Sequence, residues 1–241
     1  SVFEMLITLI KKIYYEKYSK KSYSISNVDL IIDKLFLKIN NGIYVDVGCN
    51  HPIKYNNTYL LYKRGWSGIN IDLDNTAIEQ FNIMRKKDHN IEALISSSDG
   101  KVKNVYHYHE RSAINTVSKD LADRRITKPK KIIKKKSITL NSVIEMSPYK
   151  NKKINLLSID IENHEYEALK NFNFTKYNID VIVAECTDMT QDKLEIYTQS
   201  LDYIISTNFY KLLIKNNYKL INWINSDLVF VNKNSFNRIK L

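Results

Sequence analysis

From Ile43 onward the sequence alternates short runs of β-branched and aliphatic residues with segments whose apolar residues recur at helical spacing. No other feature constrains the fold as much, because strands covered by helices on both faces read as continuous apolar runs and demand a mostly parallel sheet. Ile43 to Val47, Gly68 to Asp72, Ile91 to Ile95, Ile154 to Ile161 and Ile179 to Cys186 read as five such strands. Helices are predicted over Thr58 to Lys63, Thr76 to Lys86 and His164 to Asn171, with one or two more within Asp192 to Asn216. The rhythm ends at Tyr218 to Ile224 and Leu228 to Val231, separated only by Asn225, Ser226 and Asp227, which is a hairpin. The expected architecture is therefore α/β: a mostly parallel seven-stranded sheet finished by an antiparallel hairpin strand.

Before that sheet, Ser26 is placed to cap a helix carrying Val28, Ile32, Leu35 and Ile39, closed by Asn40, Asn41 and Gly42. This divides the chain into a helical lead-in, residues 1–41, and one domain, residues 42–241; at 241 residues with 44% hydrophobic content, one sizeable core is the expectation. The stretch Gly100 to Ile138 breaks the alternation and reads as an insertion, with a strand over Val102 to Tyr108 and a basic loop at Lys128 to Lys136 (KPKKIIKKK). The formal charge of +11 comes from lysines spread along the whole chain, so no nucleic-acid partner is expected, and only that loop concentrates charge enough to meet a phosphate.

The opening run Val2 to Ile10 is interrupted by Glu4 and followed by Lys11 and Lys12, so it is too short to span a bilayer. A helix there is expected to pack on its own domain, with a peripheral membrane or homo-oligomer contact as the alternative. Cys49 and Cys186 are far apart and show no metal-site spacing, which fits a reducing compartment and a cytoplasmic location. The chain opens on Ser1 without an initiator Met, as a piece of a longer protein would.

The residues that carry chemistry fall at strand ends. Asp46-Val47-Gly48-Cys49-Asn50 closes the first strand, where Gly48 permits a sharp turn and a close ligand approach; the G-x-G-x-x-G of dinucleotide folds is absent. Asp72 closes the second strand, 24 residues later, where a carboxylate can accept from both hydroxyls of a ribose, while Asp74 and Asn75 are better placed to cap the next helix. Ser158-Ile159-Asp160-Ile161-Glu162-Asn163-His164 ends the fourth strand; alternation puts Ser158, Asp160 and Glu162 on one side. Glu185 ends the neighbouring fifth strand and is expected to face the same cleft.

In order and spacing, IYVDVGCNHP, NNTYLLYKRGWSGINID and LLSIDIENHEYEAL resemble the FkbM-type methyltransferases, over roughly Gly42 to Asn232. The resemblance implies a Rossmann-like class I methyltransferase fold and S-adenosylmethionine as cofactor. That cofactor would be bound by the Asp46 to His51 turn (Gly48 and Asn50 included), Asn57 and Thr58 near its methionine end, Asp72 at its ribose and Ser96 after the third strand. Two departures are visible: Asn163 stands where the family usually has Gly, and His51-Pro52 replaces the commoner Asp-Gly.

The implied activity is O-methylation of a sugar or nucleotide-linked sugar hydroxyl in glycan biosynthesis, with a small-molecule or carbohydrate acceptor. A hydroxyl must lose its proton to accept a methyl group, and the candidates for taking it are Asp160, Glu162, His164 and Glu185. Asp160, His164 and Glu185 would also make a mixed oxygen and nitrogen shell for Mg, Mn or Fe. The competing readings are a nucleotide-sugar or dinucleotide-binding oxidoreductase and a non-catalytic RNA-binding module on the basic face.

Overall fold

In the computed structural model of the chain, residues 2–109, 112–188 and 200–239 are described. In chain order the elements are α1 (Val2–Glu16), α2 (Val28–Leu35), β1 (Ile43–Val47), α3 (Tyr59–Lys63), β2 (Ser67–Asp72), α4 (Asn75–Met84), β3 (His89–Glu92), β4 (Leu94–Ile95) and β5 (Val102–His107). There follow α5 (Lys119–Arg124), β6 (Lys131–Ile138), α6 (Leu140–Met146), β7 (Leu156–Ile159), α7 (Glu165–Leu169), α8 (Phe174–Tyr177) and β8 (Val181–Glu185). The chain closes with α9 (Leu201–Ser206), α10 (Asn208–Lys215), β9 (Tyr218–Ile224) and β10 (Asp227–Asn232).

Seven strands form one sheet in the order β3-β2-β1-β7-β8-β10-β9, all parallel except β10, which runs antiparallel between β8 and β9. The hairpin is tighter than its sequence suggested: Asp227 already pairs with Ile224, and left-handed Asn225 (φ 53) with Ser226 makes a two-residue turn. Strand alternation sorts the core. Val45, Val47, Ile69, Ile71, Leu157 and Ile159 face α6, α7 and α10, whereas Tyr44, Leu156, Val181, Val183, Val229 and Val231 face α2 and α3. Each such side chain removed from water contributes about 1.5 to 3 kcal/mol.

Four expectations are corrected. The strand read as Ile91 to Ile95 is two, because Ala93 N donates to Asp72 O (2.8 Å) and the chain then leaves the large sheet for a small one, ordered β4-β6-β5. The basic run is no loop: Lys131–Ile138 is β6, antiparallel to β5, with Lys135 tied to Glu92 and to the Leu73 carbonyl. Alternating Lys and Ile carry β propensity as well as charge, and pairing with β5 decides between them. The lead-in helix is shorter than read, ending at Leu35; left-handed Asn27 caps it without a side-chain bond, while Ser26 accepts from Val28 N and pins the helix start to Asp227. Finally, α1 buries no residue, so it does not pack on its own domain. Within Asp192 to Asn216 the structure gives α9 and α10; residues 192–199 lie outside the described residues.

At the end of α4, Arg85 turns inward and is 0% exposed. Its guanidinium donates to Asp88 (2.9 Å), the Pro52 carbonyl (3.1 Å), Asn56 Oδ1 (3.2 Å), the Tyr44 hydroxyl (2.8 Å) and Thr58 Oγ1 (2.8 Å). Removing one member of a buried pair strands the other charge, at a cost of about 3 to 5 kcal/mol. Arg85→Met is therefore expected to lower the unfolding free energy by that amount in urea titration; a variant as stable as the parent would contradict the network's role.

Candidate functional site

The site is built at the carboxyl ends of β1, β2, β7 and β8, where an open α/β sheet leaves a crevice. After Val47 the chain reverses: the N–H groups of Gly48 and Cys49 both donate to Ile71 O, at 2.8 and 3.1 Å. Gly48 has φ +79, and a Cβ there would stand 1.8 Å from the Asp160 carbonyl oxygen, so the turn needs glycine for both conformation and space. Asp72 closes β2 with Oδ2 accepting from Asn50 N (2.9 Å) and Oδ1 from Asp74 N (2.9 Å). Burial pushes its pKa up to about 6 against the pull of those two donors. As the sequence suggested, Asp74 caps α4 and accepts from Thr76 N (2.9 Å), which keeps Asp72 at the crevice.

The other expected cofactor residues divide. Gly48, Asn50 and Asp72 line the crevice. Asp46 lies beneath it, accepting from Thr58 Oγ1 (2.8 Å) and Asn56 Nδ2 (3.1 Å), its pKa raised by burial against those bonds and Arg85. The His51 ring accepts from Ile53 N (3.1 Å) and Lys54 N (3.0 Å) through Nδ1 and so shapes the loop. Asn57 reaches across to Ser158 (3.3 Å), and Ser96 is paired with His164 Nε2 (3.1 Å).

Asp160, Glu162 and Glu185 do converge, with one carboxylate oxygen of each within 4.8 Å of the others. Alternation accounts for only part of this. β7 stops at Ile159, and Glu162 arrives through a turn in which Glu162 (φ 58) and Asn163 (φ 67) are both left-handed. Where the family usually has Gly, Asn is the residue that best tolerates the same backbone, so the departure preserves the turn. Glu162 has no such tolerance and is held by Thr116 Oγ1 donating to its carbonyl (2.8 Å) and by an ion pair with Arg125.

The electrostatics follow from crowding. Asp160 opens to the crevice yet is ringed by protein, and desolvation, then Glu185 and Glu162, hold its pKa well above the carboxylate range. Burial and Glu185 lift Glu162 to about 7, with Arg125 opposing; burial and Glu185 lift Glu165, whose Oε1 accepts from Ile161 N (2.9 Å), to about 8. His164 goes the other way, to about 4, through burial and then Lys103, so its imidazole is neutral near pH 7. Among the described residues the metal-competent group is thus Asp160, Glu162 and Glu185, while His164 turns to Ser96. An all-oxygen set suits Mg or Mn better than Fe.

Sequence reasoning missed the contribution of the insertion. Residues 112–117 fold back over the crevice, and Ser112 is buried (8% exposed) with an Oγ that finds no partner among the described residues. No local signal marked these residues, or Arg125, because they reach the site only through the β5–β6 pairing. Two openings flank the carboxylates, one lined by Asp160 and Glu162 and the other by Glu185. The first is lined by Gly48, Asp72, Leu94, Ser112, Asp160 and His164. The second is lined by Asn163, Tyr166, Glu185, Tyr203, Asn208 and Phe209.

This strand order, with a glycine turn after the first strand and an acidic residue closing the second, is a Rossmann-like α/β fold of the class I methyltransferase type. The model of the methyltransferase FkbM domain matches residues 46–211, most of the chain, and the protein belongs to the FkbM methyltransferase family. Among solved structures it is similar to a TehB-like SAM-dependent methyltransferase from Corynebacterium glutamicum (11% identity, 97% of this chain and 100% of that one, TM-score 0.44). It is also similar to monomeric WbdD (10% identity, 91% of this chain and 43% of that one, TM-score 0.45). No curated protein matches the sequence.

The crowding at Gly48 gives a direct check. Gly48→Ala must displace the Asp160 backbone and strain a positive φ, so S-adenosylhomocysteine affinity is expected to fall about tenfold or more by calorimetry. Parental affinity in that variant would show that the turn yields freely.

Proposed function

We propose that this methyltransferase transfers a methyl group to a hydroxyl of a sugar, free or nucleotide-linked, with the Asp160, Glu162 and Glu185 group taking the proton. The observation that carries this reading is that Asp160 and Glu162 line one opening, Glu185 lines another, and one carboxylate oxygen of each stands within 4.8 Å of the others. The first opening fits the cofactor: Asp72 stands ready for the ribose hydroxyls, the Gly48 turn admits the methionine end, and the unpartnered Ser112 hydroxyl awaits a polar group. The second opening sets Tyr166, Tyr203 and Phe209 beside Asn163 and Asn208, a pairing of aromatic faces with amides that suits the apolar and hydroxyl faces of a carbohydrate.

The cofactor supplies an activated methyl on a sulfonium, so the protein has to align the acceptor oxygen and remove its proton. As the oxygen-to-carbon bond forms, the sulfur-to-carbon bond breaks with its electron pair left on sulfur, and the acceptor proton passes to a carboxylate. A carboxylate lifted to about 7, as Glu162 is, is well matched to that task near neutral pH. A neutral His164 with its pKa pushed to about 4 is a weaker base and serves better in holding Ser96. The carboxylate oxygens would also hold a hard divalent cation, and loss of activity on chelation, restored by Mg or Mn, would assign one there.

Two measurements test the reading. Asp72 is expected to bind the ribose as the anion, so S-adenosylhomocysteine affinity should be constant above about pH 6 and fall below it by up to tenfold per pH unit. Asp72→Asn should weaken binding by about 1.5 to 3 kcal/mol and abolish the pH dependence, and a pH-dependent Asn variant would remove the assignment. In the second, Glu185→Gln deletes a negative charge that raises Glu162, so the acid limb of kcat/KM should move to lower pH; Arg125→Leu should move it up. Limbs unmoved in both variants place the base outside this group.

A further inference from the structure

Outside the catalytic domain's core stands α1, which contributes no buried residue. We propose that α1 seats this protein on an anionic membrane surface, lying in the plane of the headgroups. At about 100° per residue, Phe3, Leu6, Leu9, Ile10, Ile13 and Tyr14 fall on one half of its circumference, and Glu4, Thr8, Lys11 and Lys12 on the other. The apolar half is open to solvent, with Phe3 and Ile13 each 70% exposed. A contiguous exposed apolar face of this kind marks an interaction surface.

Shape, charge and chemistry choose the occupant. A half-circumference face is broader than the narrow seam that pairs two helices, and it matches a flat apolar boundary. Lys11, Lys12, Lys17, Lys20 and Lys21 follow the apolar turns and outnumber Glu4 and Glu16, the acidic residues of the segment. That excess complements anionic lipid and repels a second copy presenting the same lysines. Between the apolar turns and the last lysines sit Tyr14, Tyr15 and Tyr18, with Lys17 Nζ 3.3 Å from the Tyr14 ring centroid. Tyrosine with lysine is the chemistry of a membrane interface. No described helix is long and apolar enough to cross a membrane.

Flotation of the full chain with phosphatidylcholine vesicles, with and without phosphatidylglycerol, tests this. The protein is expected to float with the anionic vesicles only, and less so as salt rises. Leu6→Asp with Ile10→Asp should abolish flotation, and Lys11→Glu with Lys12→Glu should weaken it about tenfold or more. Both double variants should keep parental S-adenosylhomocysteine affinity, which shows that they are folded. Absence of flotation by the parent, flotation indifferent to both double variants, or a dimer in light scattering that the Leu6 and Ile10 substitutions dissolve would each overturn the proposal, the last in favour of a second copy.

Discussion

A buried guanidinium holds the site's foundation together. Arg85 spends its donors on an acidic side chain, a loop carbonyl, an amide, a phenol and a hydroxyl, tying three groups of loop 50–58 to Tyr44 on β1 and to Asp88 before β3. Through Thr58 and Asn56 it reaches Asp46 on β1; through Asp88 it reaches Gly68 N and Asn70 on β2. A buried charge is costly unless every donor is used, and here the requirement ties the conformation of loop 50–58 to Arg85 through three of its acceptors. That conformation sets Asn50 N against Asp72 and therefore fixes the depth of the crevice. The hydrophobic clusters on the two sheet faces stabilise the layers, but they do not by themselves choose the path of this loop.

The sequence showed Gly48, Asp72, the seven strands and the closing hairpin because each is a local requirement: a turn needs glycine, an open strand end tolerates an acid, a buried strand needs branched apolar residues. Arg85 was hidden in Arg85-Lys86-Lys87-Asp88, which reads as a solvated helix end, since burial of a charge depends on partners 27 to 41 residues away. Arg125 and Ser112 were hidden for a related reason. Their place at the site follows from the β5–β6 ladder, and the basic composition of β6 argued for a loop until a partner strand was available. At α1 the sequence carried both outcomes, because an amphipathic pattern states that a face must be covered and leaves open by what.

The left-handed pair Glu162 and Asn163 links the fold to the chemistry. Extending β7 by regular alternation would have sent residue 161 away and kept residue 162 in line with the strand. The turn instead brings the Glu162 carboxylate beside Asp160 and Glu185 while freeing Glu165 to accept from Ile161 N and close the loop. A non-glycine residue at φ 58 stores strain, and two contacts from the insertion, Thr116 and Arg125, hold it there. The insertion is thus a clamp on the acidic turn as well as a wall of the crevice.

On the proposed reading, that clamp also answers an electrostatic difficulty. Methyl transfer destroys a sulfonium charge, so a fully ionised carboxylate cluster beside the methyl group would stabilise the ground state more than the transition state and slow the reaction. Crowding prevents full ionisation: desolvation and mutual repulsion keep Asp160 protonated well above the usual range and bring Glu162 to about 7. Arg125 neutralises part of what remains and keeps Glu162 from rising further. The group can then accept one proton from an acceptor hydroxyl while presenting little net charge to the sulfonium, and the negative charge it gives up on taking that proton appears on the acceptor oxygen, where it drives attack on the methyl group. A single well-solvated carboxylate would retain a pKa near 4 and make a weaker base; three carboxylates within 4.8 Å of one another, with one arginine paired to Glu162, meet both demands.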